Sequence, residues 1–326
     1  MRSRPSVSVV IPVRNRSATI GRCLAALAAQ DYPQEATEVI VVDNGSTDDT
    51  RAIVAAYGVT LLVESEIRTS YAARNRGIRH ARGELVAFLD SDCVAAPEWL
   101  SQLVSAFDDE QRIAAVVGAI DDAPATTLCE EFTARLRPFA RPLRRGLATL
   151  LTANVAIRRD ALEAVGLFDE SLPTAGDVDL GWRLQQQLGV VIAENLSARV
   201  QHIHRSTFLG IFRQYCRYGA SEILLTTLHR GGAGSLSFAE HARRMRSQLR
   251  AIATYIVSLA CRAVASPFRL RSTRRRYILW PLFLLTAETG NVAGKCVAFV
   301  RTRGCRRNPY RNGREITRPG GVCGGK

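Results

Sequence analysis

Five short apolar runs punctuate the first 120 residues: 7–13 (VSVVIPV), 38–42 (EVIVV), 59–63 (VTLLV), 84–89 (ELVAFL) and 113–120 (IAAVVGAI). The segments between several of them carry helical periodicity. In 18–31 the apolar residues Ile20, Cys23, Leu24, Leu27 and Ala28 recur at i, i+3, i+4, i+7 and i+8, one face of an amphipathic helix. Residues 69–81 and 97–107 also suit helices, the second opened by Pro97. Strands alternating with helices at this spacing predict βαβ units and a parallel sheet. In open sheets of that kind ligands bind outside the carboxyl ends of the strands. Two of the strands end on aspartate, one at Asp43 and one at Asp90-Ser91-Asp92, so their carboxylates are expected in one crevice. No GxGxxG follows the first strand and no GxxxxGK[ST] occurs, which argues against dinucleotide and P-loop folds.

Beyond residue 120 the pattern loosens. Residues 121–148 read as a long connection with helical pieces. TANVAIRRDALEAVGLFDE (152–170) reads as a strand, a helix capped by Asp160 and a stop at Gly166. GDVDLGWRLQQQLG (176–189) reads as a helix with acids in its first turn. VVIAEN and ARVQHIH read as short strands.

Three groups of residues carry chemistry. Alternate residues of an extended chain face the same way, so Asp90 and Asp92 can address one cation and the phosphates it carries. Oxygen donors suit Mg²⁺ or Mn²⁺ rather than zinc. Asp177, with Asp179 two residues on, fits either a helix N-terminal acid stabilised by the dipole or a general base for an attacking hydroxyl. His202 and His204 form an HxH pair, and either imidazole could join the carboxylates as a metal ligand.

Together these segments resemble a family 2 glycosyltransferase of the GT-A fold. VSVVIPVRNR resembles the family's opening strand and EVIVVDNGSTDDT its nucleotide-binding strand and turn. SYAARNRGIRHARGELVAFLDSDCVAAPEWL resembles the run into its DxD motif, and TANVAIRRDALEAVGLFDESL with GDVDLGWRL its acceptor half. The likeness covers roughly residues 6–220 in order and spacing. It implies an α/β fold with a Rossmann-like, mostly parallel central sheet flanked by helices. It also implies a single-displacement, inverting transfer from a nucleoside-diphosphate sugar. Pro12, Arg14, Asp43 and Ser46 would hold base and ribose, and Arg74 would lie near the diphosphate. Asp90 would approach ribose or phosphate, Asp92 would bind the cation, and Asp177 would be the base. The Val200-Gln201-His202 context favours His202 as the late metal ligand. Gln214, Arg217 and Tyr218 resemble the acceptor-side QxxRW motif. The chain departs from the family at Gly176, where Glu is usual, and at Tyr218, where Trp is usual. The second change disfavours processive synthesis and favours transfer of one sugar, with a uridine donor as the default.

The charge is split along the chain. Residues 230–326 hold 20 Lys+Arg and 3 Asp+Glu, a net of +17, against a net of −3 in 1–229 and +14 overall. The expected division is a catalytic domain over 1–225 (nucleotide-sugar half 1–120, acceptor half 121–225), a helical region over 226–300 and a basic, disordered tail over 301–326. AIATYIVSLAC (251–261) and YILWPLFLLTA (277–287) are apolar runs of 11 residues, too short to span a bilayer at about 20 residues. With arginines at their edges they suit helices lying in a membrane interface. The N-terminus shows no signal-peptide pattern, and the eight cysteines form no CxxC pair. The expected setting is therefore the cytoplasmic face of the cell membrane, with a lipid-linked or membrane-proximal glycan as acceptor. Nucleic-acid binding, suggested by the arginine content, is disfavoured because the charge sits in an appended segment. An inactive scaffold is disfavoured by the intact set Asp43, Asp90, Asp92, Asp177 and His202, and a glycosidase by the nucleotide-type turn beside the paired acids.

Overall fold

The predicted strands, joined by a short one at Cys93–Ala95 that the sequence reading missed, pair into one eight-stranded sheet: Val7–Val13 (β1), Thr37–Asp43 (β2), Thr60–Val63 (β3), Leu85–Leu89 (β4), Cys93–Ala95 (β5), Ile113–Asp122 (β6), Asn154–Arg158 (β7) and Val191–His202 (β8). The order is β3-β2-β1-β4-β7-β6-β8-β5. The computed structural model describes residues 5–107, 112–136, 147–229, 238–265 and 271–304. Strands β1, β2, β3 and β4 run parallel, as βαβ units require, so Asp43 and the segment after Leu89 emerge at the same edge. The departure from a purely parallel sheet lies in β7, which runs antiparallel to both β4 and β6, and in the short β5, antiparallel to β8. Where two short strands were expected near 190–204, β8 is one bulged strand. Its register against β6 jumps from Gly118–Asn195 to Ala119–Arg199. The buried amide of Asn154 pins that bulge, donating to the carbonyls of Ala119 (2.7 Å) and Ala198 (2.8 Å) and accepting from Trp99 Nε1 (2.8 Å). The bulge sets β8 so that His202 pairs with Cys93 on one side and Asp122 on the other.

Helices cover both faces, which is why the strands are apolar at nearly every position. Val9, Ile11, Ala87 and Leu89 pack on Ile20–Ala28 (α1) and Trp99–Ser105 (α4), with Thr50–Ala55 (α2) beside them. Val10, Val42, Val86 and Phe88 pack on Ser70–His80 (α3), Arg159–Ala164 (α6) and Gly176–Leu188 (α7). Each such fully buried large side chain contributes about 1.5–3 kcal/mol of transfer free energy. Asp160 is not the N-cap of α6. That position is Arg158, and the Asp160 carboxylate accepts from the neighbouring Ala161 N–H instead.

The long connection contains Leu128–Arg135 (α5), opened by a capping box between Thr127 and Glu130. Three further helices follow: Phe208–Leu228 (α8), Phe238–Ala265 (α9) and Arg271–Gly304 (α10). Helix α8 crosses the expected boundary at 225, and α10 lies along it at backbone contact. A Cβ on Gly219 would strike the Asn291 carbonyl, and one on Gly294 the Cys216 carbonyl. A buried ion pair, Lys295 Nζ to Glu222 Oε2 at 2.8 Å, reinforces the joint. The two apolar runs of this region meet different fates. In 277–287, Phe283 and Ala287 are buried with Phe132 and Ile211, and Trp280 meets Phe132 edge-on at 5.0 Å. In 251–261, Ile256 and Val257 are exposed. No helix among the described residues is long and apolar enough to cross a membrane. Of the tail expected to be disordered over 301–326, residues 301–304 instead close α10, and 305–326 lie outside the described residues.

Candidate active site

At the carboxyl edge of the sheet, Asp90 follows β4 and Asp92 precedes β5. Asp90 Oδ1 accepts from Arg74 Nη2 at 2.6 Å. Arg74 is 4% exposed, and its Nε is buried without a partner. The arginine is placed by α3, whose N-cap Thr69 accepts from the Ala72 N–H. One turn along, Asn75 exchanges hydrogen bonds with the backbone of Phe168, tying α3 to the loop that leads into α7.

Asp177 sits in the first turn of α7, its Oδ1 accepting from Val178 N at 3.0 Å. Burial pushes its carboxyl above the usual range, with Asp90 adding to the shift and Arg74 and Val178 opposing it. Asp179 is in a different state. It is locked by Arg183 (2.8 Å) and His229 (2.9 Å), and although burial opposes it, those partners hold its carboxyl below the usual range. Only Asp177 of the pair keeps the basicity a proton acceptor needs. The Gly at 176 also has a structural reason: a Cβ there would stand 2.9 Å from the Tyr71 ring. Helix α7 begins from Ala175 at φ +62, a left-handed conformation that costs a residue with a Cβ about 1–2 kcal/mol.

Asp92 lies among cations. Arg205 Nη1 is 3.3 Å and Arg16 Nη2 3.4 Å from its Oδ2, and His202 Nε2 is 3.5 Å from its Oδ1. Burial opposes ionisation of Asp92, but the charged guanidiniums of Arg205 and Arg16 beside it hold the carboxyl below its ordinary value. Burial keeps the His202 ring neutral against the pull of Asp92. His204, by contrast, is engaged by Asp122 through Nε2 at 2.6 Å. Of the two histidines, His202 is the one facing Asp92. Donor atoms of Asp92, Cys93 and His202 all lie within 4.8 Å of one another. Burial, then Asp92 and Asp90, push the Cys93 thiol up, which keeps it protonated and out of the donor set. A carboxylate beside a neutral imidazole fits Mn²⁺ or Mg²⁺, with water and phosphate oxygens completing the shell.

The acceptor-side residues come to the same place. Helix α8, capped by Thr207, starts four residues after His204. Gln214 Nε2 donates to the Tyr218 hydroxyl at 2.9 Å, and the Gln214 Oε1 is buried without a partner. Burial lowers the Arg217 pKa, and repulsion from Arg205 and Arg16 lowers it further. Arg16 and Arg205 thus flank Asp92, and Arg217 lies near enough to repel both, a concentration of positive charge suited to an anion with several oxygens. Tyr218 is raised by burial and feels Asp177, Arg205 and Arg217, which joins the two halves of the site.

The predicted nucleoside-side residues are distributed differently. Asp43 is fully buried. It accepts from Arg51 Nη2 at 2.6 Å and from the N–H groups of Gly45 and Ser46 at 3.2 Å, so it builds the loop after β2. Burial opposes its ionisation, but those bonds hold its carboxyl low. Ser46 Oγ accepts from Asn15 N at 2.9 Å, joining that loop to the one after β1. Pro12 sits opposite Val42 in β1, and Arg14 is exposed. Sequence reasoning missed Arg16, Arg51 and Arg205. The signal for Arg205 was its place directly after HIH. Arg16 could have been found from the turn, two residues beyond Arg14.

Comparisons with known proteins bear on the family and the fold. Residues 8–166 match the sequence model of Glycosyl transferase family 2. Glycosyltransferase AglE of Haloferax volcanii is 36% identical over 184 residues, 53% of this chain and 59% of that protein. A mannosyltransferase from Pyrobaculum calidifontis, solved with GDP-Man and Mn²⁺, superposes with a TM-score of 0.58 at 21% identity, covering 89% of this chain and 88% of its own. The glucosyl-3-phosphoglycerate synthase of Mycobacterium tuberculosis gives 0.51 at 26% identity over 72% of this chain and 82% of its own. The chain spans about half to three-fifths of the length of the first curated relatives it matches. The matched stretch and the related sequence thus both point to glycosyl transferase family 2, and the shared fold agrees with them.

Proposed function

We propose that the protein is an inverting glycosyltransferase that moves one sugar from a nucleoside-diphosphate sugar to a hydroxyl of a lipid-linked or membrane-proximal glycan. The observation that carries this is the separation of charge in the site. Burial raises the carboxyl of Asp177, whereas Arg16 and Arg205 flank Asp92, with Arg217 near enough to repel both. The acceptor oxygen attacks the anomeric carbon, and its proton passes to Asp177. The bond from that carbon to the diphosphate breaks, and the electron pair leaves with the diphosphate toward the three arginines. With Asp179 locked by Arg183 and His229, a single free carboxylate serves as base, which favours one displacement and inversion. Asp92 and His202 would hold a divalent cation, which supplies Lewis-acid stabilisation of the departing charge. The mannosyltransferase solved with GDP-Man and Mn²⁺ supports a donor and cation of these classes. Pro12, Arg14, Ser46 and the loop built by Asp43 would flank base and ribose, Arg74 and Asp90 the diphosphate and sugar, and Gln214 and Tyr218 the acceptor. The enzyme would work from the cytoplasmic face of the membrane, against anionic lipid and without nucleic acid. The test is to incubate the protein with a panel of nucleoside-diphosphate sugars and Mn²⁺, and to follow the released sugar by proton NMR with water as acceptor. Inverted anomeric configuration from one donor is expected, and retention or no turnover of any donor would count against the proposal.

A further inference from the structure

Helix α9 packs on α10, which in turn lies along α8 and its residues Gln214, Arg217 and Tyr218. Its opposite face has no neighbour among the described residues. Arg243, Arg246 and Arg250 follow one another at i, i+3 and i+7 on that exposed side. With Ser247 they line a shallow depression of about 350 Å³. Leu249, Ile256 and Val257 are 51%, 53% and 62% exposed on the same half of the helix at 3.6 residues per turn. Arginine thus dominates the first part of the face and apolar side chains the second. Three features point to what covers it. Exposed Ile and Val gain nothing from a nucleic-acid backbone. A second copy docking parallel would bring like arginines together, and one docking antiparallel would set guanidiniums against Ile256 and Val257 with no carboxylate to receive them. A bilayer surface offers anionic headgroups to the guanidiniums and acyl chains to the apolar end.

We infer that the outer face of α9 is the surface by which this protein sits on an anionic membrane, with Arg243, Arg246 and Arg250 on lipid phosphates and Ile256 and Val257 in the headgroup–acyl boundary. This rests on the expected membrane-side acceptor for its purpose, but on none of the transfer chemistry for its evidence. Seated this way, α9 holds the acceptor end of the cleft, through α10 and α8, at a fixed distance from the bilayer.

The test is partitioning of the full chain onto phosphatidylcholine vesicles with and without about one third phosphatidylglycerol. Wild type is expected to bind only the anionic vesicles, less tightly as salt rises. Changing Arg243, Arg246 and Arg250 together to Gln should weaken binding roughly a hundredfold, at about fivefold per arginine. Ile256→Glu with Val257→Glu should also release the protein. These side chains are exposed, so melting temperatures should stay at the wild-type value. The basic tail is present in every variant, so the ratios isolate α9. Binding that neither variant weakens, or no vesicle binding at all, would overturn the inference. So would arginine-dependent DNA binding indifferent to the Glu changes, or dimerisation without vesicle binding that the Glu changes abolish. Nucleoside-diphosphate binding, measured on the same samples, reports the transferase reading separately.

Discussion

Replacing Asp177 with Asn removes one charge and one proton acceptor while leaving an oxygen to accept from Val178 N, so the first turn of α7 should keep its geometry. General-base catalysis is worth about 10²–10⁴-fold, or roughly 2.7–5.4 kcal/mol at 1.36 kcal/mol per decade. The structure points to the upper part of that range because the two carboxylates near it among the described residues are both engaged: Asp179 is held by Arg183 and His229, and Asp90 by Arg74. The loss should fall on kcat, with donor KM unchanged. Stability should move the other way. The native carboxyl of Asp177 lies above its unfolded value, so its contribution to stability is fully present below the unfolded pKa and is lost as pH rises through the native one. The variant lacks that loss and should melt higher than wild type near neutral pH, with the gap closing in acid. The wild-type rate should also fall as pH drops through the raised pKa. Sugar transfer and thermal melts across pH measure both. A variant that keeps more than about a tenth of wild-type kcat, against the losses expected of a general base, would refute the assignment.

Further outcomes follow from the same geometry. Arg205→Gln and Arg16→Gln should each weaken nucleoside-diphosphate binding about 10–100-fold, the range for a charge-assisted hydrogen bond, and a calorimetric titration reads it. His202→Ala should abolish any tightening of that binding by Mn²⁺, whereas His204→Gln, at a residue held by Asp122, should retain it. Glu222→Gln strands the buried Lys295 ammonium and should cost about 3–5 kcal/mol in denaturant unfolding, while Glu222→Leu with Lys295→Met should cost markedly less.

Much of this site was legible in the sequence because parallel βαβ topology leaves little freedom. Once 7–13, 38–42 and 84–89 are strands, Asp43 and Asp90 must emerge at one edge. Asp177 was readable as a helix N-terminal acid, and the resemblance singled it out as the base, but the physical reason that sets it apart from Asp179 was not legible. That depends on Arg183 and His229, which reach Asp179 from 4 and 50 residues away. The choice between His202 and His204 likewise needed the β6–β8 register that brings Asp122 to His204. The antiparallel β7 was readable as a strand, but its direction was not, because a buried strand is apolar whichever way it runs. Arg16 and Arg205 were missed because an arginine in a loop carries no periodic signal, and only the fold brings both to Asp92. The run 277–287 was read by composition as an interfacial helix. Its contacts with Phe132 and Ile211 are non-local and leave no mark in hydropathy.

The convergence of Asp92, His202 and the arginines on one anion and one cation is most directly tested by calorimetric titration of nucleoside diphosphates into wild type and Asp92→Asn, each with and without Mn²⁺. Wild type should bind one base class more tightly with Mn²⁺ than without, and Asp92→Asn should bind with no Mn²⁺ enhancement. Undiminished enhancement in Asp92→Asn, or no nucleoside-diphosphate binding to the wild type, would contradict the account.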